Sequence, residues 1–178
     1  MIPLPNNKYS IIYADPPWCY KDKSKSHGGG AESHYQCMDL KDICDLPIKD
    51  ISDDNSVLFL WITMPMLPEG LEVIKSWGFK YKTCAFTWVK VNKDNSIYMG
   101  MGRYTRANAE ICLLATKGKG LTRINFGIKN THTHKRLSHS EKPNLFRELI
   151  VSLFGDLPKI ELFARQKYKN WDYWGNEI

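Results

Sequence analysis

Two kinds of hydrophobic pattern alternate along this chain. The first is an uninterrupted apolar run of strand length, found at residues 11–14 and 57–62. Such runs are typical of strands that are covered on both faces. Three further runs, at 86–89, 111–115 and 159–164, are predicted to be strands for the same reason.

The second pattern places apolar residues about one helical turn apart. Residues 67–77 show this spacing and stop at Gly78, and residues 145–154 show it and stop at Gly155. The apolar positions of the first segment are Leu67, Leu71, Ile74 and Trp77. A glycine just past the last apolar position is typical of a helix end. We therefore predict an α/β fold, an open, doubly wound, mainly parallel sheet that binds ligands at the carboxyl ends of its strands.

The bulk composition indicates one compact domain over residues 1–178, since no repeat or linker divides the chain. Of its 178 residues, 43% are hydrophobic and 25% charged, and the formal net charge is +6. A positive charge favours nucleic acid through counterion release, although many proteins without that role are basic too. The chain begins without a signal-peptide pattern, and no apolar run approaches the ~18 residues that span a bilayer. We expect a cytoplasmic protein that does not contact a membrane.

The cysteines and histidines give no sign of a disulfide framework or a metal site. The five cysteines include no C-x-x-C pair. His132, His134 and His139 cluster in sequence, but no thiol or carboxylate lies near them at ligand spacing. We predict a polar loop there and no bound metal.

The strongest chemical signal is Asp15-Pro16-Pro17-Trp18, which ends the first apolar run. The amino nitrogen of adenine is a poor nucleophile because its lone pair is delocalised into the ring. Asp15 can accept one amino hydrogen and the Pro16 carbonyl the other, which localises that pair for attack on a methyl donor. The prolines stiffen the strand exit, and Trp18 offers a flat face on which an extruded base can stack. The alternative is an ordinary proline turn beside a core tryptophan.

With this motif the chain resembles the permuted N6-adenine methyltransferases of the Asp-Pro-Pro-Trp type. That family includes mRNA adenosine methyltransferases and DNA adenine methyltransferases of phages and bacteria. The resemblance covers nearly the whole chain, because further blocks occur in the family's order at 57–63, 87–90, 110–114, 138–143, 159–165 and 174–176. It implies a Rossmann-like fold that uses S-adenosylmethionine, with the catalytic half first and the cofactor half last.

The resemblance also implies which residues contact the cofactor. They are Asp15, Lys142, Glu161, Phe163, Arg165, Asn176 and Glu177. Lys142 and Arg165 suit the methionine carboxylate, while Asn176 and Glu177 suit the ribose hydroxyls. The alternative for Lys142 and Arg165 is a solvated surface pair. Ala164 stands where relatives usually have glycine, which affects how closely the backbone approaches the cofactor.

Two polar stretches flank the predicted site. Residues 21–37 are predicted to form a lid, and their three glycines are not a phosphate loop because no Lys-Ser/Thr pair follows. Tyr35 in this stretch matches the tyrosine of the family's gate loop; a tyrosine that packs the loop down is the alternative. Residues 92–107 contain Arg103, Tyr104 and Arg106, which we predict to bind the nucleic-acid substrate. An ordinary solvated hairpin would look similar.

Taken together, these features predict an S-adenosylmethionine-dependent N6-adenine methyltransferase that acts on nucleic acid. DNA is the preferred substrate, because the chain resembles the compact phage and bacterial members in size. RNA is the alternative substrate. A second alternative is a non-catalytic, nucleic-acid-binding subunit of a heteromer, although Asp15 to Trp18 and Asn176 are all present. Whether the chain forms a homodimer or joins a different partner chain stays open.

Overall fold

The computed structural model describes residues 3–19, 37–102, 104–137 and 141–176. In these residues one sheet of seven strands runs in the order β5-β3-β4-β2-β1-β6-β7. The strands are β1 (Tyr9–Ala14), β2 (Ser52–Ile62), β3 (Lys80–Val91), β4 (Ala109–Lys117), β5 (Thr131–Lys135), β6 (Lys159–Leu162) and β7 (Asp172–Trp174). The five strands predicted from apolar runs are confirmed, and the edge strands β5 and β7 are additional.

The pairing of the strands is mainly parallel, as predicted. β1 runs parallel to β2 and β6, β6 to β7, and β3 to β5. Only β4 runs the other way among these strands, antiparallel to both β2 and β3. As a result, the ends of β1, β2, β3 and β6 and the start of β4 lie along one edge of the sheet. This edge runs across the strand ends and is not one of the edges formed by β5 and β7.

Four α-helices occur in the described residues: α1 (Leu40–Cys44), α2 (Ile48–Ile51), α3 (Leu67–Ser76) and α4 (Leu145–Phe154). The two predicted helices are confirmed as α3 and α4. Gly78 and Gly155, just past their last turns, have φ values of 81° and 87°, which glycine adopts without strain. None of these helices is long and apolar enough to cross a membrane.

The buried face of α3 matches the predicted apolar positions only in part, since Ile74 and Trp77 are buried but the two leucines are not. Leu67 and Leu71 are each 38% exposed, whereas Gly70, Val73 and Ile74 are buried. The reason is the close approach of this helix to the sheet, since a Cβ on Gly70 would lie only 2.7 Å from the Ile62 side chain. The missing side chain lets the helix backbone approach β2 at Gly70.

Both faces of the sheet are covered, which confirms the doubly wound arrangement. Alternate residues of β1 point to opposite faces, so Ile12 packs in one core and Ile11 in the other. Helices α1, α2 and α3 contribute to the core around Ile12. Helix α4 contributes to the core around Ile11 through Phe146, Ile150 and Phe154.

Candidate active site

Asp15 directly follows β1, at the sheet edge where β1, β2 and β6 all end. Its side chain is 17% exposed, and Oδ2 accepts a hydrogen bond of 2.6 Å from Nζ of Lys142. Burial raises the pKa of Asp15 above its ordinary value, while the Lys142 ammonium offsets part of that rise. The sheet therefore presents one carboxylate in a recess with a cation fixed beside it.

The backbone after Asp15 is held by hydrogen bonds on both sides. The N–H of Trp18 donates to the Pro16 carbonyl at 2.9 Å, and the N–H of Met38 donates to the Pro17 carbonyl at 2.9 Å. A carbonyl oxygen has two lone pairs, so that of Pro16 keeps one for a second donor. The turn thus has a fixed direction, as the prolines predict.

Trp18 does not have the position that its predicted stacking role needs. Its side chain is 4% exposed and belongs to the core around Ile12. The indole nitrogen donates to the Trp61 carbonyl at 3.1 Å, which satisfies its polar group inside the protein. This burial contradicts the prediction that an extruded base stacks on Trp18; the residue anchors the turn instead.

Lys142 is buried, with 5% of its surface exposed, so the solvated surface pair is wrong for this residue. Besides Asp15, its ammonium contacts Oε2 of Glu110 at 3.1 Å, and the other oxygen of Glu110 accepts from Lys90. Burial alone lowers the pKa of Lys142, but the two carboxylates outweigh it and raise that pKa. For Glu110, burial raises the pKa and the two lysines outweigh it, so the net shift is downward.

These four side chains form a row of alternating charge from Asp15 through Lys142 and Glu110 to Lys90. The Lys142 ammonium holds two protein carboxylates. This arrangement differs from the predicted one, in which Lys142 binds the carboxylate of the cofactor. A buried cation between two carboxylates holds both of them in place and favours their ionised forms.

Glu161, on β6, is also buried and paired. Arg147 of α4 holds it with two hydrogen bonds, of which the one from Nε to Oε2 measures 2.7 Å. Burial raises the pKa of Glu161, and Arg147 offsets part of the rise. The guanidinium therefore engages both oxygens of this carboxylate, each of which can accept a further donor, and the cofactor contact of Glu161 stays a prediction.

A cavity of about 840 Å³ opens beside Asp15 at the same edge. Five of the predicted site residues line it: Asp15, Pro17, Phe163, Arg165 and Asn176. Two carboxylates that were not predicted, Asp39 and Asp42, also line it. The structure therefore brings the start and the end of the chain together around one space, as the permuted motif order implies.

The far wall of this cavity depends on a close backbone contact. Phe163 follows β6 with φ of 60° and packs edge-on against Trp174, with ring centroids 5.4 Å apart. A Cβ on Gly175 would lie 2.4 Å from the Ala164 carbonyl oxygen. The glycine that this corner requires is therefore Gly175, and Ala164 fits without strain beside it.

The cavity also contains a disulfide, which corrects the expectation drawn from the cysteine count. Cys19 and Cys37 are bonded, with their Cα atoms 5.2 Å apart. A parallel bridge between Trp18 and Met38 brings their neighbours together, which a count of spacings along the sequence does not reveal. Within the ranges that the structure describes, no three His, Cys, Asp or Glu side chains form a group able to hold a metal ion.

The remaining predicted residues divide into two groups. Tyr35, Arg103 and Glu177 lie outside the described residues. Tyr104 and Arg106 are exposed on the connection from β3 to β4, which leaves and re-enters the sheet at the edge that holds Asp15.

Sequence reasoning missed Glu110, Arg147, Asp39 and Asp42. Glu110 and Arg147 carry a usable signal, because each is a charge next to or inside an apolar segment that forms a buried element. The two aspartates flank the start of a short helix, where an acidic residue is also a routine capping choice. Only the folded cavity distinguishes them from ordinary helix-start residues.

Comparison with known proteins identifies the class that this fold and site define. The MT-A70 family model matches residues 9–177, so the chain belongs to the MT-A70 family. The chain is 38% identical to the Type II methyltransferase M.MunI from Mycoplasma sp, over 98% of the chain and 80% of that protein. It is 28% identical to the human N(6)-adenosine-methyltransferase catalytic subunit METTL3, over 96% of the chain and 28% of that protein. A Drosophila melanogaster MT-A70-like N(6)-adenosine-methyltransferase is similar to the same degree, with 27% of its length covered.

Proposed function

We propose that this chain is an S-adenosylmethionine-dependent N6-adenine methyltransferase whose substrate is DNA. The observation that carries the proposal is the position of Asp15, an ion-paired carboxylate that lines a large cavity. Membership in the MT-A70 family supports the same reaction. The catalytic half of the chain comes first and the cofactor half last, within one domain.

The residues around the cavity fit S-adenosylmethionine. Its volume, about 840 Å³, lies in the range of sites for ligands of this size. Arg165 suits the methionine carboxylate, and Asn176 suits a ribose hydroxyl. The nearby carboxylates of Asp39 and Asp42 complement the positive sulfonium. When bound, the cofactor supplies an electrophilic methyl group.

Asp15 and the Pro16 carbonyl then prepare the nucleophile. Each accepts one hydrogen of the adenine amino group, which draws the nitrogen lone pair out of the ring system. With the cofactor bound, its methyl group would pass from sulfur to this nitrogen, and the methylated amine would release one proton to Asp15 or to water. Lys142 favours the ionised form of Asp15 and fixes its direction, so that its acceptor oxygen is in place before the base arrives.

The choice of DNA rests on the Type II designation of the Mycoplasma relative, which covers more of the chain at higher identity than the METTL3 relatives do. RNA is the second candidate, because the relatives named as N(6)-adenosine-methyltransferases also match 96% of the chain. Both substrates present the same amino group to Asp15. The phosphate backbone would contact exposed basic residues such as Arg106 in either case.

The test is methyl transfer from labelled S-adenosylmethionine to unmethylated bacterial genomic DNA and to total RNA from the same cells. Nucleoside digestion and mass spectrometry then identify the product. We expect N6-methyldeoxyadenosine from DNA, with Asp15→Ala as the inactive control. N6-methyladenosine from RNA alone would transfer the proposal to the second candidate. Cofactor binding without transfer to either substrate would contradict the enzymatic function.

A further inference from the structure

The connection between β3 and β4 forms a narrow projection at the edge of the sheet that holds Asp15. Residues 92–96 make a tight turn, and residues 97 and 98 run back along β3 through a bridge from Val91 to Ile97. The chain then extends as what we call the finger, residues 98–102 and 104–107. A Cβ on Gly100 would lie 2.0 Å from the Ala107 carbonyl oxygen, and one on Gly102 would lie 1.9 Å from that of Thr105. The two arms are therefore in direct backbone contact.

The finger carries large apolar side chains in solvent. Met99 is 72% exposed, Met101 81% and Tyr104 93%. The methionines alternate with Gly100 and Gly102. The side of this arm that faces the other arm of the finger therefore has no side chains, and the opposite side has two long, unbranched ones. Exposed apolar groups gathered on one projection indicate a binding surface.

Charge on and around the finger decides what it binds. Arg106 lies on the finger, Arg136 stacks on Tyr98 at its base with 4.1 Å from the guanidinium to the ring, and Lys93 is exposed in the preceding turn. Asp94, which Ser96 holds in its ionised form, is the acidic group of that turn. A second copy would bring like charges together across a twofold axis. Phosphates complement this surface.

The finger is directly connected to the reacting centre. Glu110 is the second residue of β4, and Lys142 joins it to Asp15 through contacts of 3.1 Å and 2.6 Å. Asp15 itself sits in a recess, where a base inside a duplex stack does not reach it. An adenine in duplex DNA must therefore rotate out, which leaves a gap in the stack.

We propose that Met99, Met101 and Tyr104 form a wedge that enters duplex DNA beside the target adenine and fills the gap that the adenine leaves. Proteins that deform DNA insert apolar side chains, methionine among them, between neighbouring base pairs. This inference rests on the proposed function and adds to it a duplex substrate and the residues that open it. Because Trp18 is buried, the contact with the base stack is assigned to the finger and not to the Asp-Pro-Pro-Trp turn.

The test compares the full chain with its Met99→Ser/Met101→Ser variant. Adenines that the wild-type protein methylates in genomic DNA are located first. An oligonucleotide with one such site is then offered as a paired duplex, as a duplex with an abasic position opposite the target, and as a single strand. We expect the variant to lose roughly ten- to a hundredfold in kcat/KM on the paired duplex. Its rate on the single strand should match the wild-type rate, and the abasic duplex should restore most of the loss.

A second measurement follows the base directly. 2-Aminopurine at the target position should brighten when the wild-type protein binds the duplex, and brighten much less with the variant. The matched control is Ile124→Ser/Phe126→Ser, which removes two exposed apolar side chains at the opposite edge of the sheet. That control should behave as wild type on every substrate.

The outcomes separate the wedge from the proposed function. If the wild-type protein methylates no nucleic acid, the proposed function fails. If the wild type methylates duplex DNA, the wedge alone is overturned by either of two results. The finger variant keeps its full kcat/KM, or its kcat/KM falls equally on duplex and single strand. Sedimentation velocity tests whether the finger is instead an interface between copies of the chain. That would be the result if the wild type is a dimer, the variant is a monomer, and kcat/KM falls equally on all substrates.

Discussion

Nζ of Lys142 lies 2.6 Å from Oδ2 of Asp15, and these two residues are 127 positions apart in the chain. The contact joins the first strand to the segment before the last helix, and so joins the two halves of the candidate site. A lysine that holds this carboxylate fixes its direction and lowers its pKa. The first prediction concerns that pKa.

Replacing Lys142 with methionine should move the acid limb of the pH profile of kcat/KM to higher pH. In the proposed mechanism Asp15 must be ionised to accept the amino hydrogen, so activity should fall as the pH drops through its pKa. Burial already raises that pKa and Lys142 opposes the rise, so the variant's Asp15 should take up its proton at higher pH. Lys159→Met is the control, because this equally buried lysine pairs with Asp156 away from the site. An unmoved acid limb would show that Lys142 does not act on Asp15.

Replacing Arg147 with methionine should destabilise the fold by about 3–5 kcal/mol at neutral pH, because Glu161 would be left as an unpaired buried charge. Urea unfolding measures this loss. The pKa of Glu161 would rise further, so the folded state would bind a proton more readily and the deficit should shrink as the pH falls. The double variant Arg147→Met/Glu161→Leu should recover most of the stability. A double variant as unstable as the single one would refute this explanation.

The sequence reveals the positions of the strands and helices only in part. Apolar runs predict β1 and β2 because a strand buried on both faces needs apolar residues at consecutive positions. Glycines predict the ends of α3 and α4 because the residue after each helix has a positive φ. The edge strand β5 has no apolar run, since Thr131–Lys135 is a polar segment exposed at alternate positions. The three residues of β7 are too few to form a pattern.

The candidate site shows the same division. Asp15 and its two prolines are contiguous in sequence, so this part of the site could be recognised there. The partners of Lys142 and Glu161 could not, because Glu110 and Arg147 reach them only through the tertiary fold. The motif suggests that Trp18 stacks on a base at the surface. In the structure its indole nitrogen donates to the Trp61 carbonyl, so the side chain can be buried with its polar group satisfied.

Replacing Gly175 with alanine should weaken S-adenosylmethionine binding and lower stability by about 1–3 kcal/mol. The new Cβ would lie 2.4 Å from the Ala164 carbonyl oxygen and push apart the two segments that form the cavity wall. Calorimetry and thermal unfolding measure the two effects. Gly127→Ala is the matched control, since a Cβ there meets only the Asn125 side chain at 3.6 Å. Equal cofactor affinity in both variants would place the cofactor elsewhere.

Replacing Asn176 with alanine should lower the affinity for S-adenosylmethionine roughly ten- to a hundredfold, as expected for one lost polar contact of about 1–3 kcal/mol. Asn176 is exposed and lines the cavity, so circular dichroism should stay unchanged. Asn7→Ala is the control, because Asn7 lines a separate surface groove beside Tyr9 and Asp172. If titration calorimetry gives the same affinity for wild type and Asn176→Ala, this residue does not contact the cofactor.

Single-turnover methyl transfer by Asp15→Asn tests the role of Asp15 most directly. Asparagine keeps the shape, but its amide group replaces one acceptor oxygen with a donor that faces the donating amine. We predict that the rate of the chemical step falls on the order of 10²-fold or more, while DNA binding measured by fluorescence anisotropy is retained. Asp156→Asn, an exposed carboxylate outside the site, should react at the wild-type rate. A full wild-type rate in Asp15→Asn would contradict the proposal that this carboxylate prepares the adenine amine for methylation.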